Sequence, residues 1–184
     1  MLGRKFLLAL AIALPLVGCA PAAAPAPREV LLTEDFNGEN DGRYALNYTD
    51  FARWTVTAGS VDLVGRPPYD DFLPKAQRLY VDLDGTSKAA GTLRSKARFD
   101  LLPGTYRLAF KLAGTPRPNQ PPNTVIVSVG GAFRETITLR SYAPLKPYMR
   151  TFRVRSHERA NLAFEHLGGD DYGIFIDDIR LERL

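Results

Sequence analysis

The chain has 184 residues, with 24 lysines and arginines against 20 aspartates and glutamates and one cysteine, so its formal net charge is +4. Two of the basic residues, Arg4 and Lys5, lie in an N-terminal apolar segment, and without them 22 basic residues face 20 acidic ones. The basic residues elsewhere are spaced singly, as at Arg150, Arg153 and Arg155. This balance argues against nucleic-acid binding, and a single cysteine excludes an intramolecular disulfide.

The first predicted element is a secretion signal over residues 1–18. A positively charged start precedes the apolar stretch 6–17, which is too short to span a bilayer as a mature helix. The segment ends in Leu16-Val17-Gly18-Cys19, which resembles the lipobox of bacterial lipoproteins. That resemblance implies that Cys19 is acylated and becomes the first mature residue. An ordinary secretion signal and an uncleaved anchor helix are the alternatives.

The lipoprotein resemblance also predicts the location of the protein. Lipoproteins of this kind carry several acyl chains, and each buried methylene contributes about 0.8 kcal/mol, so the chain is expected to be firmly anchored in a membrane. Ala20 stands where an inner-membrane lipoprotein has aspartate, which favours the outer membrane or cell surface of the envelope. The Pro- and Ala-rich residues 19–29 predict an extended, semi-rigid tether.

Residues 30–184 are predicted to form one all-β domain, an antiparallel β-sandwich of jelly-roll type that is monomeric. Apolar and polar residues alternate with a period of two, which gives each strand one buried face and one wet face, and no segment shows a helical stripe. The strongest strand segments are Tyr106–Leu112, Val125–Val129, Thr136–Leu139, Phe152–Arg155 and Leu162–Phe164. Three Pro-rich connections, 65–77, 114–123 and 140–148, are longer than a hairpin turn and are candidate binding loops.

Four segments carry a resemblance to a known family. They are Leu46–Gly65, Leu79–Gly85, Leu101–Gly114 and His166–Glu182. They resemble small secreted bacterial proteins, many of which carry a PEP-CTERM sorting tag, and they are similar to the galactose-binding-like jelly rolls of carbohydrate-binding modules. The resemblance covers nearly all of residues 30–184, and it implies the same sandwich fold.

Acidic residues near the two ends of the domain predict a structural Ca²⁺ site. Asp177 has the same strand parity as Ile179 and Leu181, so it is expected to point toward the core, where a carboxylate needs a partner. Jelly rolls of the carbohydrate-binding kind often hold calcium between the first and last strands. The candidate ligands that this resemblance implies are Glu34, Asp35, Asp177 and Asp178. An ion pair between Asp177 and an arginine, or a solvated carboxylate at the strand end, are the alternatives.

Aromatic and amide side chains in the long connections predict a binding site for sugars. Sugar rings stack their C–H faces on aromatic rings, and neighbouring polar groups supply the hydrogen bonds. Trp54 lies in a strand-like segment and is expected in the core. The candidate ligand-binding residues are Tyr69, Asp70, Asn119, Gln120, Tyr142 and Tyr148, the last two at the ends of the third connection.

The remaining polar motifs do not predict catalysis. Asp82–Gly85 resembles the start of a calcium loop but lacks the later glutamate, so a turn is expected. The two histidines, His157 and His166, do not form a metal-binding pair, and His157 lies in a polar, exposed turn. The carboxylate pairs Asp70-Asp71 and Asp170-Asp171 are neighbours in sequence, which point to opposite sides of a strand instead of across a cleft.

These features together predict a non-catalytic lipoprotein of the cell envelope whose jelly-roll domain binds a glycan or another envelope polymer. The alternative is a structural or adhesion module that contacts envelope proteins and has no small ligand. The two hypotheses differ in surface: aromatic residues converging beside a concave face favour the first, and a large flat apolar patch favours the second.

Overall fold

The computed structural model describes residues 28–69, 73 and 78–184. The predicted signal peptide, Cys19, most of the tether and Asp70 lie outside these residues. The first strand begins at Glu29, one residue before the predicted start of the domain. A search of the described residues for a helix long and apolar enough to cross a membrane finds none.

The described residues form thirteen strands and one turn of 3-10 helix, Glu39–Gly42. The strands are β1 (Glu29–Glu34), β2 (Trp54–Ala58), β3 (Asp62–Val64), β4 (Tyr80–Asp82), β5 (Thr92–Ser95), β6 (Phe99–Leu101), β7 (Gly104–Ala113), β8 (Asn123–Val129), β9 (Phe133–Leu139), β10 (Lys146–Val154), β11 (Glu158–Ala160), β12 (Leu162–His166) and β13 (Phe175–Arg183). The five strongest predicted strands fall within β7, β8, β9, β10 and β12, because their alternation matches the two-residue period of a half-buried strand.

The strands form two main sheets that pack face to face as a sandwich. The first sheet has the order β10-β7-β13-β4-β3, and β1 also pairs with β13. The second sheet has the order β2-β5-β12-β8-β9, and β11 and β6 form a small separate ribbon. All pairs are antiparallel. The predicted all-β antiparallel sandwich of jelly-roll type is confirmed.

The third predicted connection is shorter than the sequence suggested. β10 begins at Lys146, so Tyr148 lies within a strand and not at the end of a loop. Pro147 made this segment look like a loop. However, β10 is the outermost strand of its sheet, and an edge position tolerates a residue that has no N–H to donate. The ring of Tyr148 stacks on Phe110 of β7, with 5.5 Å between ring centroids and 3° between ring planes.

Aromatic side chains join the two sheets across the core. Phe110 of β7 and Phe164 of β12 meet edge to face, with their centroids 5.5 Å apart. Trp54 of β2 packs at 6.1 Å against the same Phe164 and is fully buried, which confirms the predicted core position of Trp54. The Trp54 indole N–H donates to Glu34 Oε2 of β1 at 3.2 Å, so the first strand is also tied to the core. Each aromatic pair of this kind contributes about 0.5–1.5 kcal/mol to stability beyond the contribution of the area that it buries.

A β-bulge in β13 changes which side chains face the core. The register with β7 shifts between Asp177 and Arg180, and Asp178 has a positive φ of 49°. Ile176 and Ile179 therefore both face the core although they are three residues apart. Asp177 lies opposite Lys111, on the outer side of the sheet. The predicted core-facing orientation of Asp177 is wrong, because the bulge inserts one residue and reverses the parity between Asp177 and Ile179.

Gly59, which follows β2, provides a test of the fold. Its φ is +57°, and a Cβ atom there would lie 2.0 Å from the carbonyl oxygen of Ala90. Gly59→Ala is expected to lower the free energy of unfolding by about 2 kcal/mol or more, since it combines strain with a backbone clash. Gly38→Ala is the matched control, because Gly38 has φ −87° and open space around its Cα. Urea denaturation should show the control unchanged or up to about 1 kcal/mol more stable. Equal midpoints for the two variants would contradict the structure.

Candidate functional site

The outer side of the first sheet carries a second, smaller apolar cluster. Val64 of β3, Tyr80 of β4, Ala113 of β7 and Phe175 of β13 form it. The rings of Tyr80 and Phe175 meet edge to face with their centroids 5.3 Å apart. This face is also polar, because Asp62 and Asp82 are paired across β3 and β4 on the same side. Apolar and acidic side chains therefore share one surface.

A pocket of about 320 Å³ opens above this surface, and we call it the outer-face pocket. Its volume lies at the lower end of the range usual for small-molecule sites. Asp62, Val64, Asp82 and Phe175 come from the strands, and the other lining residues come from the connecting segments. The lining residues are Leu46, Asp62, Val64, Tyr69, Asp82, Thr86, Thr115, Pro116, Arg117, Asp171, Tyr172 and Phe175.

Backbone N–H groups hold the carboxylates at the base of the pocket. The two oxygens of Asp62 accept hydrogen bonds from the backbone of Asn47 at 2.6 Å and of Thr86 at 3.1 Å. Asp82 Oδ1 accepts one from Asp84 N at 3.0 Å. These contacts fix the orientation of both carboxylates, and they tie the chain after β4 to β3.

Asp84 organises the connection between β12 and β13 in the same way. Its Oδ2 accepts hydrogen bonds from the backbone of Gly169 at 2.8 Å and of Asp170 at 3.0 Å. The side-chain amide of Asn123 donates to the carbonyl of Tyr172, so this connection is held at two points. Both contacts place Asp171 and Tyr172 at the pocket.

Burial perturbs the titration of these groups. The pKa of Asp82 is raised well above its usual value, first by burial and then by the charges of Asp62, Asp84 and Asp170. Burial likewise raises the pKa of Asp62, although its two backbone hydrogen bonds oppose the shift. Burial lowers the pKa of His166, whose ring lies 3.8 Å from Asp84. Several groups with perturbed pKa values beside one pocket are a common feature of functional sites.

The structure brings some of the predicted ligand-binding residues to this pocket and leaves others apart. Tyr69 lines the pocket and packs edge to face on Tyr44 at 5.0 Å. Asn119 and Gln120 lie in the β7–β8 connection, which carries Arg117 into the pocket, but they are not among its lining residues. Asp70 lies outside the described residues.

The two other predicted tyrosines do not line the outer-face pocket. Tyr142 is 60% exposed, and its backbone N–H donates to the carbonyl of Thr115 at the pocket wall. Tyr148 stacks on Phe110, and the cationic groups of Lys146 and Arg150 lie 5.2 Å and 5.6 Å from its ring centroid. Tyr148 therefore packs against the core within β10.

Sequence reasoning missed several residues that line the pocket. Tyr172 and Asp62 were not candidates, Asp82 was considered only as part of a calcium-loop motif, and Asp171 only as part of a catalytic pair. The sequence does contain a signal for Asp171 and Tyr172. They lie in the stretch from Gly168 to Gly173, where glycines flank two aspartates and a tyrosine between β12 and β13. Such a stretch is typical of a connection that approaches other backbone closely, and a Cβ on Gly173 would indeed lie 1.8 Å from Asp82 Oδ1.

The predicted calcium ligands on β1 are engaged in local hydrogen bonds. Glu34 accepts from the backbone of Phe36 at 2.9 Å as well as from the Trp54 indole. Asp35 is exposed, and its Oδ1 accepts from the backbone of Asn37. Glu34, Asp35 and Asp178 all line a wide, open depression at the end of β1, beside the bulge of β13.

The predicted calcium ligands on β13 are neutralised by basic side chains. Arg78 Nη2 lies 3.0 Å from Asp177 Oδ2 and 2.7 Å from Asp178 Oδ2, and Lys111 Nζ lies 2.6 Å from Asp178. In the part of the chain that the structure describes, three or more acidic, histidine or cysteine side chains do not converge as a metal-binding group. This arrangement fits an ion-pair network, and Ca²⁺ at Glu34, Asp35, Asp177 and Asp178 stays a prediction that would require Arg78 and Lys111 to be displaced.

The pKa values of the two neighbouring aspartates shift in opposite directions. Burial raises the pKa of Asp177 to about 7, with a further contribution from Asp178, and Arg78 opposes the shift. Asp178 is 29% exposed. Partial burial tends to raise the pKa of Asp178, but hydrogen bonds from Lys111 and Arg78 lower this pKa below its ordinary value of 3.8.

Comparisons with known proteins show the fold of this chain. No protein-family model matches it, and no curated protein matches it, so the resemblance to PEP-CTERM-associated proteins stays a prediction. Among solved structures, it is similar to the K3 adhesin domain of Lys-gingipain from Porphyromonas gingivalis, with 19% identity, a TM-score of 0.51 and coverage of 85% of this chain and 99% of that one.

A second similar structure contains the CBM22-1 and GH10 modules of xylanase 10B from Clostridium thermocellum, complexed with xylohexaose. The identity is 11%, the TM-score is 0.50 and 85% of this chain is covered. The match spans only 28% of the length of the xylanase chain. At these identities the likeness shows a shared jelly-roll sandwich.

The two aspartates of the ion-pair network provide a pH test. The folded-state pKa of Asp177 is above its unfolded value, so its contribution to stability is present at acid pH and is lost as the pH rises from about 4 to about 7. Asp177→Asn should remove this loss, so the variant should gain stability relative to wild type over that window. The upper limit is about 4 kcal/mol, at about 1.4 kcal/mol per pKa unit.

Asp178→Asn is the matched variant, and it is expected to lower the free energy of unfolding where Asp177→Asn raises it. The pKa of Asp178 is lower in the folded state than in the unfolded state, so its ionised form contributes stability at pH values above the unfolded-state pKa. This contribution is lost as the pH falls through the folded-state pKa. The variant should be about 1 kcal/mol less stable than wild type at neutral pH, with the difference shrinking below about pH 4. Chemical denaturation at several pH values measures both profiles. Parallel profiles for Asp177→Asn and wild type would contradict the burial of an ionised Asp177.

Proposed function

We propose that this chain is a non-catalytic glycan-binding lipoprotein of the bacterial cell envelope, and that its glycan binds in the outer-face pocket. The observation that carries the proposal is the composition of the pocket wall. Rings of Tyr69 and Tyr172 stand beside hydrogen-bonding groups of Asp171 and Arg117. Aromatic rings bind the apolar face of a sugar, and charged or amide groups around its edge bind the hydroxyls.

Two of the carboxylates around the pocket, Asp62 and Asp84, support a binding role over glycoside hydrolysis. Asp62 uses both oxygens to accept backbone N–H groups, and Asp84 uses one oxygen to accept two. A glycosidase needs one carboxyl group to donate a proton and a second to act as nucleophile or base across the scissile bond. Carboxylates that hold neighbouring backbone segments in place are poorly suited to either task.

The fold also supports display from a membrane anchor. Glu29, at the start of β1, pairs with Arg183, and Arg183 pairs with Tyr106 near the beginning of β7. The pocket includes Thr115, just after the other end of this ten-residue strand. At about 3.3 Å per residue, some 30 Å separate the two ends of the strand. A tether joined to β1 would therefore attach at the end of the strands far from the pocket.

The two similar structures support this class of scaffold. One is described as an adhesin domain and the other includes a carbohydrate-binding module in a complex with a xylan fragment. The similarity to an adhesin domain is also compatible with the second hypothesis. In that hypothesis the chain is a structural or adhesion module that contacts envelope proteins without a small ligand. The two roles differ in whether substitutions inside the pocket change binding.

The site is tested by a glycan array on the chain purified in detergent, followed by calorimetry with the strongest ligand. Tyr172→Ala should weaken binding at least tenfold, about 1.4 kcal/mol, because the stacking ring is lost. Tyr142→Ala is the matched control, since Tyr142 is exposed but does not line the pocket. Its affinity should stay within about twofold of wild type. Absence of glycan binding, or equal effects of the two variants on affinity, would contradict the proposal.

The anchor is tested separately by metabolic labelling with palmitate. Cys19→Ala should stop incorporation of the label and leave the precursor uncleaved by the lipoprotein signal peptidase, because the thiol is the proposed lipid acceptor. Cys19 is the single cysteine of the chain, so label retained by the variant could not arise from another thiol. Wild-type protein without label would show that the lipoprotein hypothesis is wrong.

A further inference from the structure

Acidic residues outnumber basic ones at the outer-face pocket. Asp62, Asp82 and Asp171 line it, Arg117 is the one basic residue among the lining residues, and Lys88 Nζ lies 3.4 Å from Asp171 Oδ2. Asp84 and Asp170 add negative charge close by, since both raise the pKa of Asp82. A ligand that enters the pocket therefore meets an excess of carboxylates, although the protein as a whole has a net positive charge.

One of these carboxylates has hydrogen-bonding capacity that the described residues do not use. Asp171 Oδ2 faces Lys88 Nζ at 3.4 Å, but Asp171 Oδ1 is shielded from solvent and has no hydrogen-bond partner among the described residues. Asp82 is only 8% exposed, it lines the same pocket, and its Oδ1 accepts the Asp84 N–H. Unsatisfied acceptors at this depth are costly, and a ligand donor would remove that cost.

The apolar part of the wall suits a cation as well as a sugar ring. Tyr69, Tyr172 and Phe175 line the same pocket as these carboxylates. The negative face of an aromatic ring attracts an ammonium group, by about 0.5–1 kcal/mol at exposed sites and more where water is excluded. Carboxylates and aromatic rings in one wall are complementary to a protonated amine, and they offer nothing comparable to an anionic group.

We propose that the outer-face pocket selects glycans that present a protonated amine, as a de-N-acetylated amino sugar does, over neutral glycans of the same shape. This inference rests on the proposed glycan-binding function and names its ligand class. The amine would lie over the Asp82 and Asp171 carboxylates, and the sugar ring would lie against the tyrosines. An acetylated amine would lose both the charge and two of the three ammonium donors.

Calorimetry with three trisaccharides tests the inference, one of glucosamine, one of N-acetylglucosamine and one of glucose. The glucosamine trisaccharide should bind the chain at least tenfold more tightly than either neutral one, and this preference should shrink when the salt concentration is raised to about 0.5 M. Asp171→Asn should reduce the preference to less than about threefold while the neutral sugars still bind. Asp82→Asn should do the same, and Asp171 serves as the second variant if substitution of the buried Asp82 prevents folding.

Asp50→Asn is the charge-matched control, because it removes an exposed carboxylate that does not line the pocket. It should leave the preference intact. Equal affinity for the amine-bearing and neutral sugars, or a preference that survives both pocket substitutions, would overturn this inference while leaving the proposed function standing. Absence of binding to every glycan on the array would overturn the proposed function itself.

Discussion

The first sheet depends on β13 and on the bulge within it. β13 pairs with β7 along one side, and along the other it pairs with β4 before the bulge and with β1 after it. Because side chains alternate along a strand, one inserted residue reverses every orientation that follows. The bulge lets Ile176 and Ile179 both reach the core. It also leaves Phe175 on the outer side, where it forms the floor of the pocket.

The pocket is held in place by groups that are expensive to bury. A carboxylate loses its hydration when it is buried, and this cost is offset only by hydrogen bonds or opposite charge. Asp62 and Asp84 each accept two backbone N–H groups, so they connect β3, the turn after β4 and the β12–β13 connection. Asp82 is less well satisfied, and its raised pKa reflects the remaining cost.

The two acidic groups of the domain have different roles because their surroundings differ. Asp177 and Asp178 at the bulge meet Arg78, which precedes β4, and Lys111 of β7, and these basic side chains form ion pairs with them. The carboxylates of the outer-face pocket meet backbone amides, other carboxylates and aromatic rings, and Asp171 also meets Lys88. In the first group the ion pairs stabilise the charged form of Asp178, whereas burial makes the charged form of Asp177 costly. The second group leaves an excess of carboxylates beside an open cavity. The two sites share one face of one sheet, separated by less than the length of β13.

The sequence by itself determined the fold class, since a period of two in segments such as Tyr106–Leu112 is compatible with half-buried strands and with little else. It also determined the burial of Trp54, and it named Tyr69, which the structure places at the pocket, as a candidate. Only the tertiary structure decided the orientation of Asp177, because a bulge leaves no mark in the periodicity. The same is true of the site: Asp62, Asp82 and Tyr172 are far apart in the chain, and sheet register and backbone hydrogen bonds bring them together. The local sequence encodes the alternation of buried and exposed side chains, whereas the convergence of distant residues into one site depends on pairing between strands that are far apart in the chain.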